Sequence, residues 1–70
     1  MPVPIRYQFT VDGELSDRAL AAFPDLASTN LQQGTTVLYG PVSDPTAMRG
    51  ILARIDNLGL TLLEMHQLPD

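Results

Sequence analysis

The first segment of the chain alternates between hydrophobic and polar residues from Val3 to Val11. A period of two is typical of a β-strand with one buried face. The glycine of Asp12-Gly13 tolerates the dihedral angles of a turn, so the strand is expected to end there. The hydrophobic positions that should face the core are Ile5, Tyr7, Phe9 and Val11.

A short helix is predicted next, from Asp17 to about Phe23. Ser16 suits the N-cap because its hydroxyl can accept a hydrogen bond from a backbone amide of the first turn. Pro24 is expected to end this helix. The segment Ala27 to Gln32 is polar, which predicts a short edge strand, and Gln33-Gly34 resembles a hairpin turn.

The second half of the chain carries the clearest signals. Thr35 to Tyr39 is β-branched and aromatic, which predicts a strand, and Gly40 and Pro41 are expected to end it. Asp44-Pro45 places an N-cap before a proline at the first helical position. Gly59 provides the left-handed residue at which such a helix ends. The apolar stripe of the helix is Met48, Ile51, Leu52, Ile55 and Leu58.

The last strand is predicted over Leu60 to Leu68. Its apolar residues fall on both faces, so the pattern leaves open whether Leu62 or Leu63 is buried. The element order is therefore β-α-β-β-α-β. Right-handed crossovers then give an α+β, ferredoxin-like sandwich. We expect a single domain over residues 1–70, with a four-stranded antiparallel sheet in the order 4-1-3-2 and both helices on one face.

The segment Gly34 to Met65, GTTVLYGPVSDPTAMRGILARIDNLGLTLLEM, resembles the second half of a group of short actinobacterial proteins of unknown function. The resemblance implies a ferredoxin-like fold and supplies no activity. Two positions depart from the pattern of the group. Arg49 replaces the usual histidine before the helix glycine, and Pro45 replaces the usual glutamine after the cap.

Composition narrows the classes of function. The net charge is −4, with four arginines and no lysine, which argues against nucleic acid and against an anionic membrane surface as partners. There is no cysteine and His66 is the only histidine, so no metal site and no cofactor is expected. The first residues lack the pattern of a secretory signal, and the expected location is the cytoplasm.

Small size favours a partner, because a chain of 70 residues builds only a marginal core. A homodimer is the first expectation, and another protein is the alternative. Tyr39, Leu62, Glu64 and His66 are the candidate interface residues, since a tyrosine on a sheet face can anchor a partner. Glu64 and His66 also form a candidate acid–base pair, although no nucleophile or orienting residue is evident.

Two further features bear on ligand binding. Gly50 lies inside the second helix, where close packing on the sheet over Tyr7 or Phe9 is favoured over backbone access for a ligand. The loop Asp12, Gly13, Glu14 and Leu15 is comparable with the ligand loop of regulatory ACT domains, which share this element order.

The leading interpretation is a non-enzymatic, self-associating interaction or regulatory module. The alternative is an ACT-like sensor that binds a small molecule between subunits. A third interpretation is a small enzyme of the acid–base or tautomerase type, because Pro2 in MPVPIRYQF resembles the catalytic proline of the small tautomerases. The catalytic arginines of that family have no match in this chain.

Overall fold

The computed structural model describes residues 5–31 and 34–69. All six elements expected from the sequence are present in these ranges and follow the predicted order. They are β1 (Arg6–Asp12), α1 (Asp17–Leu20), β2 (Ala27–Leu31), β3 (Thr35–Pro41), α2 (Pro45–Asn57) and β4 (Thr61–Gln67). Four residues of predicted elements lie outside the described residues: Val3 and Pro4 of the first strand, Gln32 at the end of the polar strand, and Gln33 of the turn. Neither described helix is both long and apolar enough to cross a membrane.

The four strands form one open antiparallel sheet in the order β2-β3-β1-β4. Counted from the β4 edge, this order is 4-1-3-2. The central strand β1 pairs with β3 on one side and with β4 on the other, so β2 and β4 are the edges. The α+β class, the four-stranded antiparallel sheet and the two helices are confirmed.

The core lies between the helices and one face of the sheet. Phe9 and Val11 of β1 are fully buried, and Leu38 is paired with Phe9 in the register of β1 and β3. Ile51 and Ile55 of α2 join the same cluster. The alternation in β1 and the stripe in α2 therefore identify the core face correctly. The other buried apolar residues are Leu15, Phe23 and Val42.

The first helix is shorter than predicted. Ser16 is the N-cap, and its Oγ accepts a hydrogen bond from the amide of Ala19 at 3.2 Å. Regular helix ends at Leu20 rather than near Phe23. The Phe23 amide bonds the Leu20 carbonyl three residues back, at 3.0 Å. Such i→i−3 bonds tighten the chain into turns, so the α-helix ends before Pro24 is reached.

The third strand is longer than predicted, because Gly40 and Pro41 continue β3 instead of ending it. Gly40 and Pro41 pair with β1, and proline is tolerated there because β2 begins only at Ala27, opposite Tyr39. Beyond that point β3 has no neighbour on this side, so the missing amide hydrogen of Pro41 removes no ladder bond.

Gly40 also allows a close approach. A Cβ at this position would lie 2.9 Å from the carbonyl oxygen of Asp25 and 3.0 Å from a methyl carbon of Leu26. Real Cβ atoms essentially never come within 2.9 Å of a backbone oxygen, so glycine at this position lets the segment before β2 pack closely on β3.

The second helix agrees with its sequence signals. Asp44 is the N-cap, and its Oδ1 accepts a hydrogen bond from the Ala47 amide at 2.7 Å. Pro45 begins the helix, and Gly59 follows it with a positive φ of 73°. Ile51 and Ile55 are buried, while Leu58 at the end of the predicted stripe is 44% exposed.

Candidate functional site

Three of the six large apolar residues that are exposed in the described chain lie on the edge strand β4. All seven residues of β4 are exposed, including Leu62 at 37%, Leu63 at 56% and Met65 at 41%. The exposure arises because β4 has a neighbour on one side only and α2 covers little of it. Exposed apolar residues on an edge strand favour pairing with another chain.

The hydrogen bonds of β1 show which backbone groups of β4 are free for a partner. The Leu68 amide donates to the Arg6 carbonyl at 2.7 Å, so this pair is hydrogen-bonded. Hydrogen-bonded pairs alternate along an antiparallel ladder. In the observed register, His66 opposite Gln8 and Glu64 opposite Thr10 therefore bond towards β1. The N–H and C=O groups of Met65 consequently point away from the sheet, towards the open edge.

Glu64 and His66 lie on the sheet face opposite the helices, as neighbours on the same side of β4. The His66 Nδ1 and the Glu64 Oε1 are 3.0 Å apart. Both side chains are well exposed, His66 at 44% and Glu64 at 63%. Neither residue lines either of the two clefts described below. The contact therefore lies on the exposed surface of the sheet, and an acid–base role for it stays a prediction.

Tyr39 shares the open face with this pair. It is half-buried, and the cross-strand register aligns it with Gln8, which in turn faces His66. With strands about 4.8 Å apart, the Tyr39 and His66 backbones are separated by about 10 Å. The structure therefore brings Tyr39, Glu64 and His66 onto one surface.

Leu62 does not join that surface, so its predicted place beside Tyr39 is wrong. It pairs with Val11, whose side chain is fully buried on the helix side of the sheet. The register shifts between Thr10 and Val11, which leaves Leu63 as an extra residue in β4. Such a bulge breaks the alternation, and this explains the blurred pattern of the sequence.

Hydrogen bonds and a buried side chain hold the loop from Asp12 to Leu15 against the rest of the fold. The Gly13 amide donates to the Gly34 carbonyl at 2.6 Å, and its own carbonyl accepts from the Thr36 hydroxyl at 2.8 Å. Leu15 is buried in the core. Asp12 and Glu14 are exposed, and no residue of this loop lines either cleft. A site between subunits at this loop stays a prediction.

A cleft of about 600 Å³ lies elsewhere, between α2 and the segment that connects α1 to β2. Gly50 and Ile51 of α2 form part of one wall, and Phe23 and Leu26 form part of the other. A smaller cleft of about 370 Å³ lies beside Tyr7 and Met48. Within residues 5–31 and 34–69, no cluster of three or more His, Asp or Glu side chains is placed to hold a metal ion.

The predicted reason for the glycine at position 50 is also wrong. The sequence favours close packing over Tyr7 or Phe9 as the reason for this glycine, but a Cβ at position 50 would meet no atom within 4 Å beyond the neighbouring backbone of its own helix. Its position on α2 instead faces the larger cleft. Sequence cannot separate these cases, because they differ only in what lies opposite the helix.

Pro2, the residue behind the tautomerase interpretation, lies outside the described residues.

The chain belongs to a family described as "Domain of unknown function (DUF8691)", whose model matches residues 6–66. The matched range contains all six elements except the last residue of β4. Membership of an uncharacterised family agrees with the resemblance found in the sequence and assigns no activity. No curated protein and no solved structure matches the chain.

Proposed function

We propose that the protein is a non-enzymatic interaction module with a ferredoxin-like fold, and that it forms a homodimer by pairing the β4 edges of two copies. The β-α-β-β-α-β order with a 4-1-3-2 sheet supports the fold. The exposed apolar edge of β4 is the single observation that carries the function. Its expected location remains the cytoplasm, on the basis of the sequence alone.

The two edges of the sheet differ in a way that favours β4. The edge strand β2 is polar at Ser28, Thr29 and Asn30, and Leu31 is its single large exposed apolar residue. Strand β4 instead exposes three large apolar residues, Leu62, Leu63 and Met65, and like β2 it contains neither proline nor lysine, the residues that commonly protect edges. Its bulge lies at Leu63, so the segment from Glu64 to Gln67 keeps a regular register with β1.

The backbone of β4 restricts how two copies can pair. A two-fold axis at Met65 would join the outward N–H and C=O groups of this residue in both copies, which makes a hydrogen-bonded pair. Glu64 of one copy then lies opposite His66 of the other. These residues occupy a non-hydrogen-bonded pair, where Cα atoms are about 4.5 Å apart and side chains are close.

The two neighbouring registers place identical side chains opposite each other, which removes the Glu64–His66 pairs between the copies. An axis at Glu64 would place two glutamates directly opposite each other, and like charges at such positions are destabilising. An axis at His66 would oppose two imidazoles. In the Met65 register, Glu64 and His66 of one copy face His66 and Glu64 of the other. Since the two residues also contact each other within each chain, the four side chains form one group in which carboxylates and imidazoles alternate.

The test is the solution mass, measured by light scattering over a concentration series, of the protein and of two edge variants. Met65→Pro removes an outward amide hydrogen and breaks no bond to β1, so the monomer is expected to stay folded. Ser28→Pro is the matched control. It lies on the β2 edge, and its amide also points outward by the alternation of the β2–β3 ladder.

The proposal predicts a dimer for the parent and for Ser28→Pro, and a folded monomer for Met65→Pro, with folding followed by circular dichroism. A parent that remains monomeric at high micromolar concentration would overturn it. A folded Met65→Pro variant that dimerises as tightly as the parent would assign the interface to another surface.

A further inference from the structure

We propose that the larger cleft is a binding site for a small zwitterion with an apolar body, the chemical type of a hydrophobic α-amino acid. The site is independent of the proposed dimer. The lining of the cleft includes Pro41 of β3 and no residue of β4.

The size and lining of the cleft suit a small molecule. A volume of about 600 Å³ falls in the usual range for ligand pockets. Phe23, Leu26, Pro41 and Ile51 supply apolar surface on both sides. The walls are fixed by the fold, because Phe23 and Ile51 are core residues. The close contact of Gly40 with Asp25 and Leu26 holds the second wall against β3.

Gly50 keeps the middle of the cleft clear. A glycine inside a helix is less favourable than alanine by about 1 kcal/mol. Packing does not explain this glycine, since an added Cβ would contact nothing. One stripe of α2 faces the cleft, formed by residues three and four apart: Thr46, Ala47, Gly50, Ile51 and Arg54. Any larger side chain at position 50 would extend from that stripe into the space.

The cleft also carries one charge of each sign. Arg54 belongs to α2, and Asp25 belongs to the opposite wall. The two are not within ion-pair distance of each other, and in the described part of the chain the single ion pair joins Glu64 and His66. Arg54 can therefore receive a carboxylate and Asp25 an ammonium group. A ligand with only one of these groups would satisfy one residue and leave the other without a partner.

The probe is L-phenylalanine, compared with 3-phenylpropanoate, which lacks the amine, and with 2-phenylethylamine, which lacks the carboxylate. Binding is followed by amide chemical shifts of the isotopically labelled full chain. L-Phenylalanine is expected to shift the amides of Gly50, Ile51 and Leu26 in a saturable manner. Each analogue is expected to bind about tenfold more weakly, because one charge contact is lost.

Three variants connect the binding to this cleft. Gly50→Leu fills the space and should abolish the shifts while leaving the helix intact. Arg54→Gln should weaken binding about tenfold, the size expected for one lost charge contact. Arg49→Gln removes the same charge from the same helix outside the cleft, and it should bind as the parent does.

Three results would overturn the proposal. One is the absence of saturable shifts with millimolar L-phenylalanine. Another is equal binding of the three probes, which would mean that Asp25 and Arg54 do not select the charges. The third is unchanged binding by Gly50→Leu. Because the β4 edge is not involved, Met65→Pro should bind L-phenylalanine like the parent, so failure here and failure of the dimer proposal are distinguishable.

Discussion

The proposed charge pairs across the β4 edge can be reversed without touching the core. In the Met65 register, one dimer contains two pairs of Glu64 with His66. His66→Glu makes all four positions acidic, and Glu64→Lys combined with His66→Lys makes all four basic. Both side chains are largely exposed and lie on the open face, so the fold should tolerate either change.

The expected change in the free energy of dimerisation follows from the number of Glu64–His66 pairs between the two copies. A cross-strand pair of opposite charges stabilises by roughly 0.2–1 kcal/mol, and a like-charged pair destabilises by a similar amount. Exposed pairs lie at the lower end of these values. Replacing one favourable pair by one unfavourable pair therefore costs about 1 kcal/mol of dimer stability. The sum is about 2 kcal/mol, which weakens dimerisation about 30-fold. The contact of Glu64 with His66 inside one chain adds nothing to this difference, because the monomer has it too.

The assay is native mass spectrometry with light scattering, with all samples in the same buffer. Each variant alone is expected to be mainly monomeric at a concentration where the parent is dimeric. An equimolar mixture of the acidic and basic variants should form a heterodimer, since opposite charges then face each other. About 1 M salt, with a screening length of about 3 Å, should reduce all these differences. Variants that dimerise alone like the parent, or a mixture that stays monomeric, would refute the Met65 register.

Three substitutions inside the fold give further predictions, each measured as the free energy of unfolding in urea. Thr36→Val should destabilise by about 1–3 kcal/mol, because the buried hydroxyl donates to the Gly13 carbonyl, and an unchanged midpoint would contradict this. Gly40→Ala should destabilise by about 1–3 kcal/mol, because its methyl group would overlap the Asp25 carbonyl, and a neutral result would show that the wall can move. Gly50→Ala should stabilise by up to about 1 kcal/mol, since its methyl group meets open space, and destabilisation would indicate packing that the structure does not contain.

Elements with local signals could be predicted from the sequence. The helix α2 begins after Asp44 and ends before Gly59, because a cap and a left-handed residue act through neighbouring backbone atoms. The contact of Glu64 with His66 is similar, since residues two apart on a strand share a face. Such features need no information about the rest of the chain.

Features that depend on distant elements could not be predicted. The extension of β3 through Pro41 depends on where β2 begins, which the residues of β3 do not encode. The bulge at Leu63 appears only when β4 is placed in register with β1, and it moves Leu62 away from Tyr39. The role of Gly50 depends on the wall that faces it across the cleft. In each case the deciding contact is made by residues far apart in sequence.

The most direct test of the proposed dimer is hydrogen exchange at individual amides of β4, measured by nuclear magnetic resonance over a concentration series. His66 bonds towards β1, so its amide should be protected at every concentration. The amide of Met65 points to the open edge and should become protected only as the dimer forms. Concentration-dependent protection at Met65 is the result that the account predicts. Rapid exchange at Met65 in a sample whose mass is that of a dimer would contradict pairing through β4.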